Sequence, residues 1–458
     1  MSDPVILPRA DHTISRQQID SDALKVLYRL HQSDFEAYLV GGSVRDLLLG
    51  RQPKDFDIGT SAQPYQVKKL FRNCWIIGRR FRLAHVRFGT KNIEVATFRR
   101  LVTAEEMAAD DAAQATARAA ADASAAAGSS PEAGDEAGGQ PRGQEANARD
   151  LLIHRDNTFG TPEEDAFRRD FTVNALFYSI ADFSIIDYTG GLKDLEARVI
   201  RSIGDPNERF REDPVRMTRA VAFAARLDFS IDPLVDDAIA THRWDIARAA
   251  PARLTDEVYK ILRAGKAEKT FQMLADRRLL EPIAPELQEA AGPKLWESLA
   301  AVDRYRAEFS ESPDTLTNAI LMGSLVVPMG YTMQMLSPVF TADGDRKEPK
   351  LAIGMLPLAR RDIEHLRQIL SLQKRLLDIH QPEKARRALT QRGPFREALT
   401  WLEIHGNAPE AVESWRAFLE DGDEAPAADS RPEAGDPQRR RRRRRRSGRR
   451  GPGPAPAA

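Results

Sequence analysis

The chain has 458 residues, more than one hydrophobic core usually organises, so we expect two or more domains. Its 68 basic and 68 acidic residues balance overall, but residues 102–150 and 420–437 are acidic and residues 439–446 are all arginine. No apolar run is long enough for a membrane-spanning helix, and the first residues lack the apolar segment of a secretory signal. We therefore expect a cytoplasmic globular protein without a membrane span.

The N-terminal part of the chain predicts a mixed α/β unit behind a flexible lead. Residues 1–20 are mostly polar, whereas the apolar residues from Ala23 to Leu30 have the spacing of a helix face. An apolar run at 37–40 predicts a strand that turns at two glycines into a helix at 44–49. Further strands are predicted at 56–58, 76–77, 85–88 and 92–98, with a helix at 65–71.

Residues 102–150 predict a disordered insertion, because they are dominated by Ala, Gly, Asp and Glu and offer little apolar surface to offset the entropy of ordering. After residue 157 the pattern predicts a helix at 171–180, followed by strands at 185–188 and 199–203. Nearly everything from residue 213 onward predicts helix. The clearest helices are 254–262, 266–275, 295–308, 362–370 and 410–418.

Together these patterns predict an α+β protein with a mixed α/β head followed by an all-helical body. Residues 420–458 predict a disordered tail that is first acidic and then rich in arginine.

Asp55-Phe56-Asp57 is the first candidate for chemistry. On a strand, alternate side chains share a face, so both carboxylates are expected to project together while Phe56 packs into the core. Mg²⁺ prefers hard oxygen ligands and usually combines one or two carboxylates with substrate phosphates. Exposed aspartates are common, so the pair alone would also fit a solvated strand edge.

The turn formed by residues 41–46, Gly-Gly-Ser-Val-Arg-Asp, strengthens this interpretation. Gly41 and Gly42 allow a phosphate to approach the backbone N–H groups of Ser43 and its neighbours at the start of a helix. Arg45 would add a cation. The alternative is a plain tight turn with Arg45 on a solvated face.

These motifs resemble the head of class II nucleotidyltransferases, a superfamily that includes bacterial poly(A) polymerases and the enzymes that add CCA to tRNA. The resemblance runs in order through residues 39–50, 55–57, 168–175 and 212–217. It implies a nucleotidyltransferase-type head, two Mg²⁺ ions held by Asp55 and Asp57, and ATP as a substrate. Residues 78–85, Gly-Arg-Arg-Phe-Arg-Leu-Ala-His, resemble the poly(A) polymerase branch and not the CCA-adding branch.

Two further groups of side chains are expected beside the carboxylates. Arg79, Arg80 and Arg82 present guanidinium groups that suit a triphosphate or an RNA backbone, although a solvated basic loop is the alternative. Glu94, on a predicted neighbouring strand, is a candidate third catalytic carboxylate, or an exposed strand glutamate.

Asp170 matches a functional position of the family, which implies hydrogen bonding to a ribose or a catalytic role. Helix N-capping by Asp170 is the competing explanation, and both roles are compatible. Asn174 is expected one helical turn later, on the same face. Arg169 belongs to the same motif and is a candidate nucleotide ligand.

Asp213 is predicted to cap a helix that begins with Pro214. Arg216 follows one turn later, and the family uses this motif in nucleotide recognition. Ala222 departs from the family, because relatives often carry a second basic residue in this stretch. The expected nucleotide-binding residues are Gly41, Gly42, Ser43, Arg45, Arg169, Asn174, Asp213, Arg216 and Arg219.

The resemblance implies a template-independent adenylyltransferase that adds AMP from ATP to RNA 3′ ends with release of pyrophosphate, in RNA polyadenylation and turnover. A CCA-adding enzyme and a non-catalytic RNA-binding protein are the alternatives. RNA 3′ ends and ATP are the expected partners, with RNA-decay proteins as a further candidate class.

We expect the chain to divide into six segments. These are a lead at 1–20, a head at 21–101 plus 151–205, an insertion at 102–150, a nucleotide- and RNA-binding neck at 206–270, an RNA-binding body at 271–419 and a tail at 420–458.

Truncation at Gly422 is expected to weaken RNA binding and flatten its salt dependence, because the arginine run is too charged to pack and acts as a mobile polycation. Each lost contact with a phosphate should lower the log–log slope of affinity against salt by about 0.7 on single-stranded RNA. The measurement is RNA affinity over a salt series for both forms. Identical slopes would show that the tail does not engage RNA and serves only solubility.

Overall fold

The computed structural model describes residues 3–78, 82–100, 158–336, 339–340, 346–347 and 352–423. The predicted insertion, the predicted tail from residue 424 onward, and the candidate residues Arg79 and Arg80 lie outside these ranges.

One eight-stranded sheet forms the core of the head, in the order β1-β8-β7-β2-β3-β6-β5-β4. Adjacent strands are antiparallel except β3 and β6, which are parallel. Its strands are β1 (Val5–Leu7), β2 (Ala37–Val40), β3 (Ile58–Thr60), β4 (Cys74–Ile77), β5 (Leu83–Phe88), β6 (Lys91–Thr97), β7 (Leu176–Ser179) and β8 (Ile185–Asp187).

The helix predicted at 171–180 is wrong, because this segment contains a short 3₁₀ turn at Thr172–Asn174 followed by the central strand β7. Leu176 and Tyr178 pack into the main core, whereas Phe177 packs into a second cluster on the other face of the sheet. A strand that is buried on both faces reads as a continuous apolar run, which periodicity alone does not distinguish from a buried helix.

The lead predicted at residues 1–20 is also wrong, because the described part of this segment packs against the head. Strand β1 pairs with β8 at one edge of the sheet, and His12 Nε2 lies 2.8 Å from the backbone oxygen of Phe183. Ile14 and Ile19 belong to the main core. Isolated apolar residues in a polar segment gave no periodic pattern, so only the tertiary structure reveals their burial.

The five helices singled out in the C-terminal half are present, with boundaries that differ by one to seven residues. Helices α1 (Ser21–His31) and α3 (Pro64–Leu70) pack on one face of the sheet, where they share a core with Val86, Ile93 and Val95. In chain order the helices of the described ranges are α1 (Ser21–His31), α2 (Gly42–Leu48), α3 (Pro64–Leu70), α4 (Pro162–Phe167), α5 (Gly191–Ala197), α6 (Pro206–Glu212), α7 (Val215–Leu227), α8 (Pro233–His242), α9 (Pro251–Arg263), α10 (Ala267–Asp276), α11 (Leu280–Ile283), α12 (Pro285–Glu289), α13 (Pro293–Ala307), α14 (Asn318–Val326), α15 (Arg360–Leu377), α16 (Glu383–Thr390), α17 (Phe395–His405) and α18 (Pro409–Asp423).

Within the described residues, the body departs from the all-helical prediction in short strands and a 3₁₀ turn at Arg243–Arg248. Two-residue strands form three small ladders: β9 (Val199–Ile200) with β10 (Ser230–Ile231), β11 (Val339–Phe340) with β12 (Arg346–Lys347), and β13 (Ala352–Ile353) with β14 (Leu356–Pro357). The α+β class, with a mixed head and a helical body, is thereby confirmed. None of the helices in the described ranges combines the length and apolar character needed to cross a membrane.

Ile14→Ala is expected to lower the free energy of unfolding by about 2–5 kcal/mol, because the side chain is 0% exposed and its removal leaves a cavity. Ile6→Ala is the matched control, since Ile6 is 57% exposed on the edge strand β1. Denaturant titration of both variants measures the difference. Equal, small losses would mean that the N-terminal segment does not pack as described.

Candidate active site

A cleft of about 510 Å³ opens where the turn between β2 and α2, the residues before β3, and helix α7 meet. Twelve of the residues expected from sequence line it: Gly41, Gly42, Ser43, Arg45, Asp55, Asp57, Arg169, Asp170, Asn174, Asp213, Arg216 and Arg219. Glu94 and Arg82 are described but do not line the cleft, and Arg82 is exposed. Segments far apart in sequence therefore converge on one concave surface.

Asp55 and Asp57 lie just before β3, because the strand begins at Ile58 and not at Phe56 as predicted. The backbone is nevertheless extended there, since Val40 N donates to Asp57 O at 3.0 Å. Phe56 is buried, whereas both aspartates are exposed, so the expected alternation of side chains holds. Within the described residues, neither carboxylate has a hydrogen-bond or ion-pair partner.

The pKa of Asp57 is raised to about 6 by partial burial, by Glu94 and by Asp55, while Arg169 acts in the opposite direction. Glu94 lies on β6 beside Asp57, because Ile58 pairs with Val95 in the parallel ladder. Its Oε1 atom is 3.6 Å from His85 Nε2. Three carboxylates thus place excess negative charge at this side of the cleft, which favours a bound cation.

The fit to Mg²⁺ depends on the donors that these residues supply. Among the described residues, no group of three or more His, Cys, Asp or Glu side chains is arranged to hold a metal ion by itself. Asp55 and Asp57 supply two hard oxygen donors, and Mg²⁺ usually takes one or two protein carboxylates and completes its shell with phosphates and water. The donor set therefore fits Mg²⁺ bound together with a phosphorylated substrate.

The side chain of Arg169 packs closely against the glycine turn. Gly41 has a φ of 71°, and a Cβ atom there would lie 2.9 Å from Arg169 Nη1, so any larger residue would be both strained and crowded. Ser43 Oγ donates to Val40 O at 3.1 Å and helps to close the turn. Helix α2 begins at Gly42, two residues earlier than predicted.

Arg45 does not offer the cleft a free cation, which corrects the expectation for this residue. Its side chain is 1% exposed, and its guanidinium donates to Asp46 Oδ1 at 2.7 and 2.8 Å and to Asn174 Oδ1. The guanidinium also lies 5.4 Å from the ring centre of Phe223. Through these contacts Arg45, on α2, is linked to Asn174 just before β7 and to Phe223 on α7.

Asp170 is not a helix N-cap, because no α-helix begins after it. Its Oδ1 atom accepts hydrogen bonds from Phe171 N at 2.8 Å and Asn174 Nδ2 at 3.1 Å, and its Oδ2 atom accepts two from Arg219 at 2.6 and 2.9 Å. Burial alone would raise the pKa of Asp170, but the charge of Arg219 and these hydrogen bonds outweigh it and lower the pKa. The carboxylate is therefore held in its ionised form.

Asp213 lines the cleft just before α7, which begins at Val215 with Pro214 in the N-cap position and not at Pro214 as predicted. Its Oδ1 atom accepts from Val215 N at 3.2 Å, at the start of α7, and from Arg253 Nη1 at 2.9 Å. Arg216, one turn later, donates to Glu212 Oε2 at 2.8 Å. Sequence reasoning missed Arg253, because it lies on α9, outside every motif that the sequence displays.

Phe223 is a second residue that sequence reasoning missed. The guanidinium carbons of Arg45, Arg219 and Arg226 lie 5.3–5.8 Å from its ring centre, within the range of cation–π attraction. Its neighbour Ala222, at the position that is often basic in relatives, packs against the core instead. An aromatic residue six positions after a nucleotide-binding motif has no distinctive signal in a single sequence.

Within the described residues, two carboxylates without partners lie just before a sheet strand and beside an arginine-lined cleft, an arrangement that fits the nucleotidyltransferase class. Three family models match in order: the poly A polymerase head domain at residues 37–201, the probable RNA and SrmB- binding site of polymerase A at 228–291, and the polymerase A arginine-rich C-terminus at 351–450. Together these segments span more than half of the chain. The chain belongs to the poly(A) polymerase family of nucleotidyltransferases.

Curated relatives match about three fifths of the chain. Poly(A) polymerase I of Salmonella typhimurium is 46% identical over 282 residues, which is 62% of this chain and 54% of the relative. The enzyme of the same name from Escherichia coli O6:H1 is 47% identical over 62% of this chain and 54% of the relative. A CCA-adding enzyme of Lactobacillus johnsonii is 32% identical over 266 residues, 58% of this chain and 56% of the relative. The chain thus spans about half the length of the curated relatives it matches.

Solved structures support the fold. The Bacillus stearothermophilus CCA-adding enzyme in complex with CTP has a TM-score of 0.50 at 22% identity, covering 87% of this chain and 82% of that chain. At this level of identity the likeness concerns the fold alone.

Mg²⁺ is expected to raise the Tm of the protein more above pH 6 than below it. Because the pKa of Asp57 is raised to about 6, its neutral form stabilises the fold at low pH and its ionisation costs stability as the pH rises through 6. A bound cation offsets that repulsion only when the carboxylate is ionised. Thermal melts with and without Mg²⁺ on both sides of pH 6 measure the effect, with Asp57→Asn as the control that removes the pH dependence. Equal Tm shifts at both pH values would contradict this assignment.

Proposed function

We propose that this chain transfers AMP from ATP to RNA 3′ ends without a template and releases pyrophosphate, as an enzyme of RNA polyadenylation and turnover. The observation that carries the proposal is that Asp55 and Asp57 lack partners within the described residues, while the other aspartates of the cleft are bonded to arginines. Relatives named poly(A) polymerase I are 40–47% identical, against 32–33% for relatives named CCA-adding enzyme. AMP addition is therefore favoured over CCA addition.

Asp55 and Asp57 are the residues that would hold two Mg²⁺ ions. The chemistry supplied there is activation of the attacking 3′ hydroxyl and neutralisation of charge on the departing pyrophosphate. Glu94, beside Asp57, is proposed as a further catalytic carboxylate that takes up the proton of the hydroxyl.

The arginines of the cleft are proposed to hold the triphosphate. Arg253 uses Nη1 and Nη2 on Asp213, and Arg219 uses Nε and Nη2 on Asp170, which orients each guanidinium and leaves further N–H donors for phosphate oxygens. The turn at Gly41, Gly42 and Ser43 brings backbone N–H groups to the same cleft. Fixed donors of this kind need no rearrangement as charge develops on the leaving group.

Recognition of the nucleotide is proposed for Asp213 and Arg216, with Arg169 and Asn174 in support. Asp213 retains acceptor capacity after its bonds to Val215 and Arg253, since an ionised carboxylate has about four lone-pair sites. Arg45 is proposed as a positioning residue for the turn, in place of the phosphate contact expected from sequence. Arg79, Arg80 and Arg82 remain candidates for RNA or triphosphate contact.

The same proposal assigns a different role to each segment of the chain. The head carries the chemistry, residues 206–270 bind nucleotide and RNA, and residues 271–419 bind RNA. The family model that describes RNA binding, at residues 228–291, crosses the boundary proposed at 270. RNA 3′ ends and ATP are the proposed partners, with RNA-decay proteins as a further class, and a cytoplasmic location fits these substrates.

Purified protein given Mg²⁺, ATP and generic RNA is expected to produce a long heterogeneous ladder of extended products. Asp57→Asn and Asp55→Asn should nearly abolish extension while leaving the circular dichroism spectrum unchanged, because each removes a metal ligand at an exposed position. Each nucleotide is supplied singly, to generic RNA and to tRNA that lacks its terminal CCA. Short additions that need CTP and occur only on tRNA would assign the chain to CCA addition, and binding without any extension would favour a non-catalytic relative.

A further inference from the structure

The outer strands of the sheet have one packed face and one exposed face. On β4, β5 and β6 the side chains of Cys74, Val86 and Val95 are buried in the core shared with α1 and α3. On the other face, Trp75 is 52% exposed and Ile77 is 51% exposed. Because β4 is the last strand of the sheet, these large apolar side chains lie at a free edge. Exposed apolar surface at a sheet edge favours aggregation unless it is covered, and it commonly marks a site that binds a partner.

This exposed face is continuous with the candidate active site. Trp75 is directly opposite His85, His85 is directly opposite Glu94, and Glu94 lies level with Asp57 beside the parallel pair Ile58 and Val95. Residues opposite each other in a ladder project to the same face. A row of side chains therefore crosses the sheet from the carboxylates to Trp75, over three interstrand spacings or about 14 Å.

The chemistry of the row matches a single-stranded nucleic acid that approaches the carboxylates. Trp75 offers a flat aromatic surface, on which a base of any identity can stack. Arg87 is exposed two residues after His85, hence on the same face, and supplies a cation for a phosphate. The carboxylates at the other end of the row are the groups that act on a 3′ hydroxyl in the proposed function. At about 3.4 Å per stacked nucleotide, the row has room for about four nucleotides.

We infer that the exposed face of β4–β6 is a stacking platform for the 3′-terminal segment of the RNA substrate, with Trp75 contacting a base about four nucleotides from the reacting end. The inference rests on the proposed function, which supplies the orientation of the RNA. It assigns to Trp75 a role in binding that is independent of base identity, as template-independent addition to many RNAs requires.

The test compares the affinity of wild-type and Trp75→Ala protein for oligo(A), without ATP. Base–aromatic stacking contributes about 1–3 kcal/mol per base, so the variant should lose affinity by about tenfold for an oligomer of about ten nucleotides. An oligomer of about three nucleotides should bind both proteins equally, because it does not reach Trp75. Trp75→Phe should keep most of the affinity, whereas Trp75→Leu, which is apolar but not flat, should not.

Tyr65→Ala is the matched control, because Tyr65 is an aromatic residue exposed to a similar extent, 62%, on α3, which packs on the opposite face of the sheet. It should leave the affinity for both oligomers unchanged. Oligo(A) should also quench the tryptophan fluorescence of the wild-type protein more strongly than that of Trp75→Phe.

Equal affinities of wild-type and Trp75→Ala protein for the longer oligomer would overturn the inference. So would burial of Trp75 by a second copy or by another segment of the chain, seen as protection from iodide quenching without RNA or as a monomer–dimer shift on Trp75→Ala substitution. These results are separate from a failure of the proposed function, which would appear as wild-type protein that does not extend RNA with ATP.

Discussion

The site depends first on Asp170, a carboxylate whose side chain is 11% exposed and which links its own segment directly to α7 and, through Asn174, to α2. It accepts hydrogen bonds from Phe171 and Asn174 at the start of β7, and from Arg219 on α7. Asn174 in turn accepts a hydrogen bond from Arg45 on α2. Breaking a buried pair of this kind commonly costs about 3–5 kcal/mol, because the remaining charge is left without compensation. The relative positions of sheet, turn and helix are thus set by one ionised group.

This arrangement also decides which charges remain available to a ligand. Within the described residues, Arg169 is bonded to Asp165, Arg219 to Asp170 and Arg253 to Asp213. The arginines are consequently held in place by acids behind or beside them and do not collapse onto Asp55 and Asp57. A site that keeps its carboxylates and its guanidinium groups apart presents an acidic surface and a basic surface side by side. Preorganisation of this kind is the main contribution that a protein makes to phosphoryl and nucleotidyl transfer.

The sequence predicted those parts of the structure in which a local pattern carries the information. The glycine turn, the Asp55–Asp57 alternation and the amphipathic helices each have a short-range periodicity or a turn residue that requires them. Strand β7 was mistaken for a helix because Leu176, Phe177 and Tyr178 are buried in two cores on opposite faces, which removes the alternation. The N-terminal segment and Arg253 were missed because their contacts are made only in the folded chain. Arg45 was predicted to face the ligand because a sequence does not show that Phe223 and Asn174 already enclose it.

The parallel pairing of β3 with β6 places two of the candidate carboxylates, Asp57 and Glu94, side by side in an otherwise antiparallel sheet. The two strands run in the same direction, and Ile58, the first residue of β3, pairs with Val95, the fifth residue of β6. Asp57 precedes β3 and Glu94 lies within β6, yet the register brings both to one level. Because α1 and α3 pack on the opposite face, the carboxylates and the side chains beyond them, as far as Trp75, face outward. The helices that stabilise one face of the sheet therefore leave its other face open to a ligand that must reach the carboxylates.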